Sequence, residues 1–386
     1  MRDNYDAVII GAGIIGCACA LECANAGMRI ALVERNEVAA GATGAAMGHI
    51  VLMDDSPSQF ALTRFGQRLW NDLAPDLPPE VEYYRPGTIW VAADQEELAA
   101  VKRTHDFYVA EGIAAEMLDA QSLAEAEPNL HSSFAGGLLV SSDVVLNPSR
   151  AATFLLENAQ RQADQVTLFL GKAVMSAGHG QVIFEDRTEL RAPILINATG
   201  ANAPELTPDL LIRKRKGHLM LTESYPEFAH HQLVELGYLK SAHASDADSV
   251  AFNIQPRKNG QLLIGSSRQY GIEDLEVEHG IVDAMMERAA LYMPRLAELT
   301  IVRVWSGLRA ATPHKLPLIG PTEDPSLFLA TGHEGLGITT SLATARLLVD
   351  HILNRQSAIP IEPYLPNRRA KIDRTIVSKQ VKGNKS

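Results

Sequence analysis

Residues 8–17 read VIIGAGIIGC, with Gly11, Gly13 and Gly16 between two apolar runs. The residues on either side fix what this stretch can become. YDAVII before it is short and β-branched, as a strand buried on both faces is. IIGCACALECANAGM after it is rich in small and straight-chain residues that favour a helix, with Gly27 placed to end it. RIALVERN then reads as a second buried strand, with Glu34 at its C-terminal end. Strand, glycine turn, helix, strand and acid is the order of a dinucleotide site. Gly11 permits the tight turn, Gly13 lets backbone approach a pyrophosphate, and Gly16 lets helix pack on strand. Ala12, Ile14 and Ile15 complete the turn, and the helix start attracts phosphate. Glu34, followed by Arg35, suits the ribose hydroxyls of an adenosine and repels a 2′-phosphate. The ligand of this unit is therefore an ADP moiety; NAD and FAD both carry one.

Three later segments favour FAD. GATGAAMGHI, residues 41–50, is small and glycine-rich, and offers Ala42, Thr43, Gly44, Met47, Gly48 and His49 for close contact. In ILINATGANA a buried strand runs into Ala198, Thr199 and Gly200, as if returning to the same sheet. LFLATGHEGLGITTSLATARLLVDHIL is again strand, glycine turn and helix. Gly332, Gly335 and Gly337 make the turn; Leu336, Ile338 and Thr339 lead into a helix whose positive end faces an anionic group.

In the order GAGIIG with Glu34, GATGAAMG, NATGA, WSGLRAATPHKLPLIG and TGHEGLGI, the chain resembles the D-amino-acid oxidase, glycine oxidase and sarcosine oxidase group of FAD-dependent amine oxidoreductases. The resemblance spans residues from about 5 to 366. It implies a Rossmann-type α/β FAD-binding domain beside an α+β substrate domain built on an antiparallel sheet. It implies that the C-terminal glycine turn holds the flavin end of FAD, and that the backbone of Val174 meets the adenine. It assigns carboxylate capture to Arg309, although Ala310 stands where the family usually has proline. Arginine suits that task because its planar fork binds carboxylate in bidentate fashion. It also implies a sheet roofing the substrate, to which Tyr238, Asn253 and Gln269 are the candidate polar contributors. His49 and His333 join this candidate set by sitting inside the two glycine-rich turns, and a histidine can tune amine protonation near neutral pH.

The implied reaction is hydride removal from the carbon bearing the amine, and no paired-carboxylate or Ser/His/Asp constellation opposes it. AATPHKLP has no cysteine, so FAD is expected to be non-covalent. GQLLIGSSR has no lysine of the kind that promotes reaction with oxygen in sarcosine oxidases; glycine oxidases lack it too, so its absence only nudges the reading towards a dehydrogenase. TGHEGLGITTSLATARLLVD resembles the FAD-bearing β subunits of hydroxyproline, proline and opine dehydrogenases. That implies a small D- or cyclic secondary amino acid such as D-hydroxyproline as substrate, in a hetero-oligomer with iron–sulfur and flavin partner subunits as electron acceptors. The alternatives are a glycine or sarcosine oxidase making peroxide, an opine dehydrogenase subunit, and a flavin-bearing assembly chain. A hydroxy acid also carries a carboxylate for Arg309.

Composition bounds the rest. A formal net charge of −11 argues against nucleic acid as main partner. The last twenty residues hold seven Lys/Arg and one Asp, a basic tail at 367–386. No apolar run approaches the roughly 18 residues that span a membrane. The start, MRDNYDAVII, has acidic residues and no long apolar stretch, so no secretory leader is expected. Cys17, Cys19 and Cys23 fall in one helix without a CxxC, so no metal cluster is indicated and a reducing cytoplasm is expected. The dispersed motifs place the FAD domain at 1–80, 146–212 and 301–366, and the substrate domain at 81–145 and 213–300. A hairpin is expected at Lys258–Gly260, with long helices near 149–163 and 279–293.

Overall fold

The computed structural model describes residues 5–162, 166–237 and 248–368. Its first sheet has six strands in the order Leu318–Pro321, Leu327–Thr331, Ile194–Asn197, Ala7–Ile10, Ile30–Glu34 and Val166–Leu170. All neighbours run parallel except the first pair. Strand Ala7–Ile10 is buried throughout, which explains its unbroken apolar run. Val8 and Ile10 face a three-stranded antiparallel sheet at 174–191, while Ala7 and Ile9 face the helices. Those helices are Ile14–Asn25, Pro148–Arg161 and Gly337–Ile352, packed in one apolar cluster. Chain order and layers are those of a Rossmann-type domain.

Gly16 makes the first helix fit. A Cβ there would lie 1.8 Å from the carbonyl oxygen of Gly11, so only glycine lets the helix start this close to its strand. The three cysteines pack on the buried side of this helix. Burial pushes Cys17 and Cys23 up to about 12, so they are inert thiols.

The second sheet has eight strands in the order Ile301–Ala311, Arg213–Ser224, Gln261–Tyr270, Ser249–Pro256, Gln232–Glu235, Thr88–Ala92, Gly136–Val140 and Ala115–Asp119. All its pairs are antiparallel except Gln232–Glu235 with Thr88–Ala92. Helices His279–Tyr292 and Gln95–Ala110 fill its apolar clusters. The hairpin expected at 258–260 joins two of these strands, with Gly260 at φ 81°. One boundary differs from the sequence reading. Strand Ile301–Ala311 pairs residue by residue with Arg213–Ser224, so it belongs to the antiparallel sheet and the crossing back lies after it. Among the described residues no helix is long and apolar enough to cross a membrane.

Candidate active site

Where the two sheets meet, a cavity of about 340 Å³ runs between both glycine turns. At one end stands Glu34. Its Oε2 accepts from the backbone N–H of Ala12 at 2.8 Å, and Oε1 from that of Asn36 at 2.9 Å. Arg35 pairs with Glu205 at 3.5 Å on the same rim, and Val174 lines it. The first helix starts at the cavity wall with no side-chain cap from Gly13. Thr43, from the glycine-rich loop, supplies one instead: its Oγ1 accepts from the Ile14 N–H at 3.0 Å. Other amides of the first turn remain for an anion. At the far end lie Gly332, Gly335, Gly337 and Ile338, where the C-terminal helix begins. Trp70 anchors that helix by donating to the Ile338 carbonyl at 2.9 Å.

An acid at one end, a helix start able to take phosphate in the middle and a second helix start at the other end fit the order and charge of the parts of FAD. Of the residues that the sequence singles out for FAD, Gly11, Gly13, Ile14, Ile15, Glu34, Arg35, Ala42, Thr43, Met47, Gly48, His49, Val174, Ala198, Thr199, Gly200, Gly332, Gly335, Gly337 and Ile338 line this cavity and could hold it. Five predicted contacts are absent from that wall. Ala12 is buried and binds Glu34 through its amide. Gly16 serves helix packing, and Gly44 packs on Ala39, where a Cβ would lie 2.6 Å from its carbonyl oxygen. Leu336 lines the neighbouring cavity. Thr339 is buried; it donates to the His49 carbonyl at 3.0 Å and accepts from the Val51 N–H at 3.2 Å.

The antiparallel sheet closes the flavin end. Gly307 lies against Ala45, and Trp305 donates to the Ala45 carbonyl at 3.3 Å. Arg309 lies flat on the next strand: a Cβ on Gly217 would sit 2.1 Å from its Nη1. That Nη1 donates to the Ser267 carbonyl at 3.0 Å, and the side chain lines the cavity. His218 and Ser267 form a buried pair behind it, Nδ1 to Oγ at 2.9 Å.

A second cavity of about 130 Å³ adjoins the first and shares His49, Asn253, Glu334 and Gly335 with it. Its apolar wall is Val51, Met53, Trp90, Val234 and Leu336. Its charged wall is Arg215, Arg268 and Lys315 with Asp55 and Glu334. Arg215 pairs with Glu334, and Lys315 with Asp55 at 3.8 Å.

The predicted polar candidates divide. Arg309, Asn253 and His49 converge on the cavities, and the buried Asn253 Oδ1 has no protein partner among the described residues. His49 takes the side-chain amide of Gln232 on Nδ1 at 2.7 Å. Burial pushes its pKa down to about 3, so it stays neutral and does not titrate with an amine as expected from its sequence position. His333 touches the first cavity, but its Nε2 pairs with Thr344 Oγ1 at 2.9 Å and burial likewise lowers it to about 3. It serves the helix start. Gln269 reaches neither cavity; its side chain donates to Asp248 at 3.2 Å and Glu278 at 3.0 Å. Tyr238 lies outside the described residues. Sequence reasoning missed Arg215, Arg268, Lys315 and Gln232. The available signal was the run RKRKGH at 213–218, too charged for an ordinary buried strand, in which Arg215 and Lys216 point to opposite faces.

The profile of a family described as FAD dependent oxidoreductase (DAO) matches residues 6–351. A glycine oxidase of Pseudomonas aeruginosa is 28% identical over 94% of this chain and 98% of its own length. Hydrogen cyanide synthase subunit HcnC of Pseudomonas protegens is 26% identical over 96% of this chain and 97% of its own. Among solved structures, glycine oxidase from Geobacillus kaustophilus superposes with a TM-score of 0.84 at 25% identity, covering 95% of this chain and 99% of that one. L-proline dehydrogenase from P. horikoshii has a TM-score of 0.86 at 19% identity, covering 96% and 99%.

Proposed function

The chain belongs to the DAO family of FAD-dependent oxidoreductases, and from that premise we propose that it oxidises a small amino acid to its imine. The observation that carries this reading is Arg309, held over Gly217 at the flavin end of a cavity shaped for FAD. FAD, when bound, accepts the hydride. This chain's part is to bind, orient and desolvate. Arg309 clamps the carboxylate, which fixes the α-carbon relative to both helix starts. Val51, Met53, Trp90 and Val234 exclude water around the rest of the substrate. His49, held neutral, and Asn253 line the junction of the cavities without adding charge.

The finer reading is a dehydrogenase of a D- or cyclic secondary amino acid such as D-hydroxyproline. The small second cavity suits a compact substrate. The absence of a lysine from GQLLIGSSR, and the likeness of TGHEGLGI to dehydrogenase β subunits, favour an acceptor other than oxygen. In that reading FAD is non-covalent, electrons leave through iron–sulfur and flavin partner subunits, and the complex is cytoplasmic. The second reading, a glycine-type oxidase, is favoured by the P. aeruginosa relative.

One experiment separates them. The purified chain is mixed without oxygen with D-hydroxyproline, D-proline, glycine, sarcosine and an opine while the flavin absorbance is followed; air is then admitted. Bleaching that persists in air and clears with an artificial dye is the expected result. Fast return of colour in air makes it an oxidase. No reduction by any of these removes the amino-acid reading.

A further inference from the structure

We propose that the side-chain carboxylate of Glu334 receives the substrate's amine and makes this site select amino acids over 2-hydroxy acids. The inference rests on the amino-acid reading above and adds the group that reads the nitrogen. Glu334 stands in the turn between strand Leu327–Thr331 and helix Gly337–Ile352, at φ 54°. Among the described residues it is the one carboxylate on the walls of both cavities. Glu34 and Glu205 line only the first, and Asp55 only the second. Its side chain keeps 14% of its surface exposed.

Its backbone is tied to the carboxylate clamp. The Glu334 N–H donates to the carbonyl of Ala310 at 3.0 Å, one residue beyond Arg309. The backbones that carry an anion and a guanidinium are thus tied together on one wall, and the two side chains supply the charge signs that a zwitterion needs. Arg215, only 8% exposed, holds Glu334 Oε1 from the sheet side. Apart from Asp55, which pairs with Lys315 on the second cavity's wall, the surroundings are cationic or neutral. Arg215, Arg268, Lys315 and Arg309 face this space, and His49 is neutral. A substrate ammonium entering among these cations is attracted only where a carboxylate stands, which at the junction is Glu334. A 2-hydroxy acid brings the carboxylate for Arg309 but leaves Glu334 facing a neutral hydroxyl. An ion pair, in which both partners are charged, is then replaced by a bond in which only the carboxylate is charged.

The test uses the FAD-loaded full chain and its Glu334→Gln and Glu334→Asp variants. Tetrahydrofuran-2-carboxylate, which has proline's ring and carboxylate but no N–H, is titrated while the flavin band is monitored. The half-saturating concentration of the best amino-acid substrate is taken from anaerobic reduction. Glu334→Gln is expected to raise the amino-acid value about 10-fold or more and to leave the ring-oxygen analogue within about twofold. Glu334→Asp, which keeps the charge, is expected to fall between. Equal weakening of both ligands means a structural role and overturns the proposal; so does no change in either. If Glu334→Gln fails to retain FAD, Glu334→Asp decides by the same comparison. A wild type reduced by no amino acid sinks the proposed function and this inference together. A wild type that is reduced, beside a Glu334→Gln variant of unchanged selectivity, sinks this inference alone.

Discussion

Arg215 and Arg309 stand directly opposite each other on neighbouring antiparallel strands, and Glu334 grips the first of them. Like charges opposite each other in a sheet cost stability. Glu334 offsets Arg215, and the carboxylate of a ligand would add to the bond that Arg309 already makes to the Ser267 carbonyl. Arg309→Met is therefore expected to lower the melting temperature only slightly and to retain FAD. The half-saturating concentration of an amino-acid substrate should rise by about 30- to 100-fold, the loss of a bidentate charge-assisted pair. Thermal melts and anaerobic reduction on the same samples check both halves. A large drop in melting temperature would show that Arg309 holds the fold rather than a ligand.

Gly217 gives an independent handle on the same guanidinium. A Cβ at this position falls 2.1 Å from Arg309 Nη1, the far end of a flexible side chain. Gly217→Ala should push the guanidinium off its place over the sheet without moving either glycine turn. We expect unchanged FAD content and visible spectrum, with substrate affinity lowered about 10-fold. Unchanged affinity would mean that the carboxylate binds elsewhere.

Most of the FAD cradle was legible in the sequence because it rests on backbone requirements. Gly11 at φ 102° and Gly16 against the Gly11 carbonyl tolerate no other residue, so the motif states its own geometry. The wall facing the substrate space was less legible. It is built by side chains from separate strands, Arg215, Gln232, Asn253 and Arg268, whose convergence depends on sheet register. Register also explains the misplaced boundary at 301: an eleven-residue edge strand carries no mark of which sheet it joins. Gln269 was misjudged for the same reason, since a one-residue step along a strand reverses the face. His49 and His333 both line the first cavity, but burial, which their sequence neighbourhood does not display, keeps them neutral.

That neutrality has a kinetic consequence. With His49 lowered to about 3, any rise of the reduction rate through neutral pH belongs to the substrate's amine or to another group. His49→Asn should change the size of the rate and leave the midpoint of its pH profile where it was. A midpoint shifted by the substitution would show that His49 does titrate in the working range.

The clearest pH effect on stability should come from Asp143. It is 1% exposed, and its Oδ1 accepts from the Gln67 side-chain amide at 3.1 Å and the Leu52 N–H at 3.4 Å. Burial pushes its pKa up from 3.8 to about 7. The folded value lies above the unfolded one, so the folded state binds the extra proton. The stabilisation is then fully present below about pH 4 and is lost progressively as pH rises through 7. At about 1.4 kcal/mol per unit, the effect is of order a few kcal/mol. Asp143→Asn keeps the shape and removes the ionisation. The difference between wild-type and variant melting temperatures should be small at pH 4 and should grow in the variant's favour towards pH 8. Parallel curves across that range would show that Asp143 is charged in the fold at all pH values.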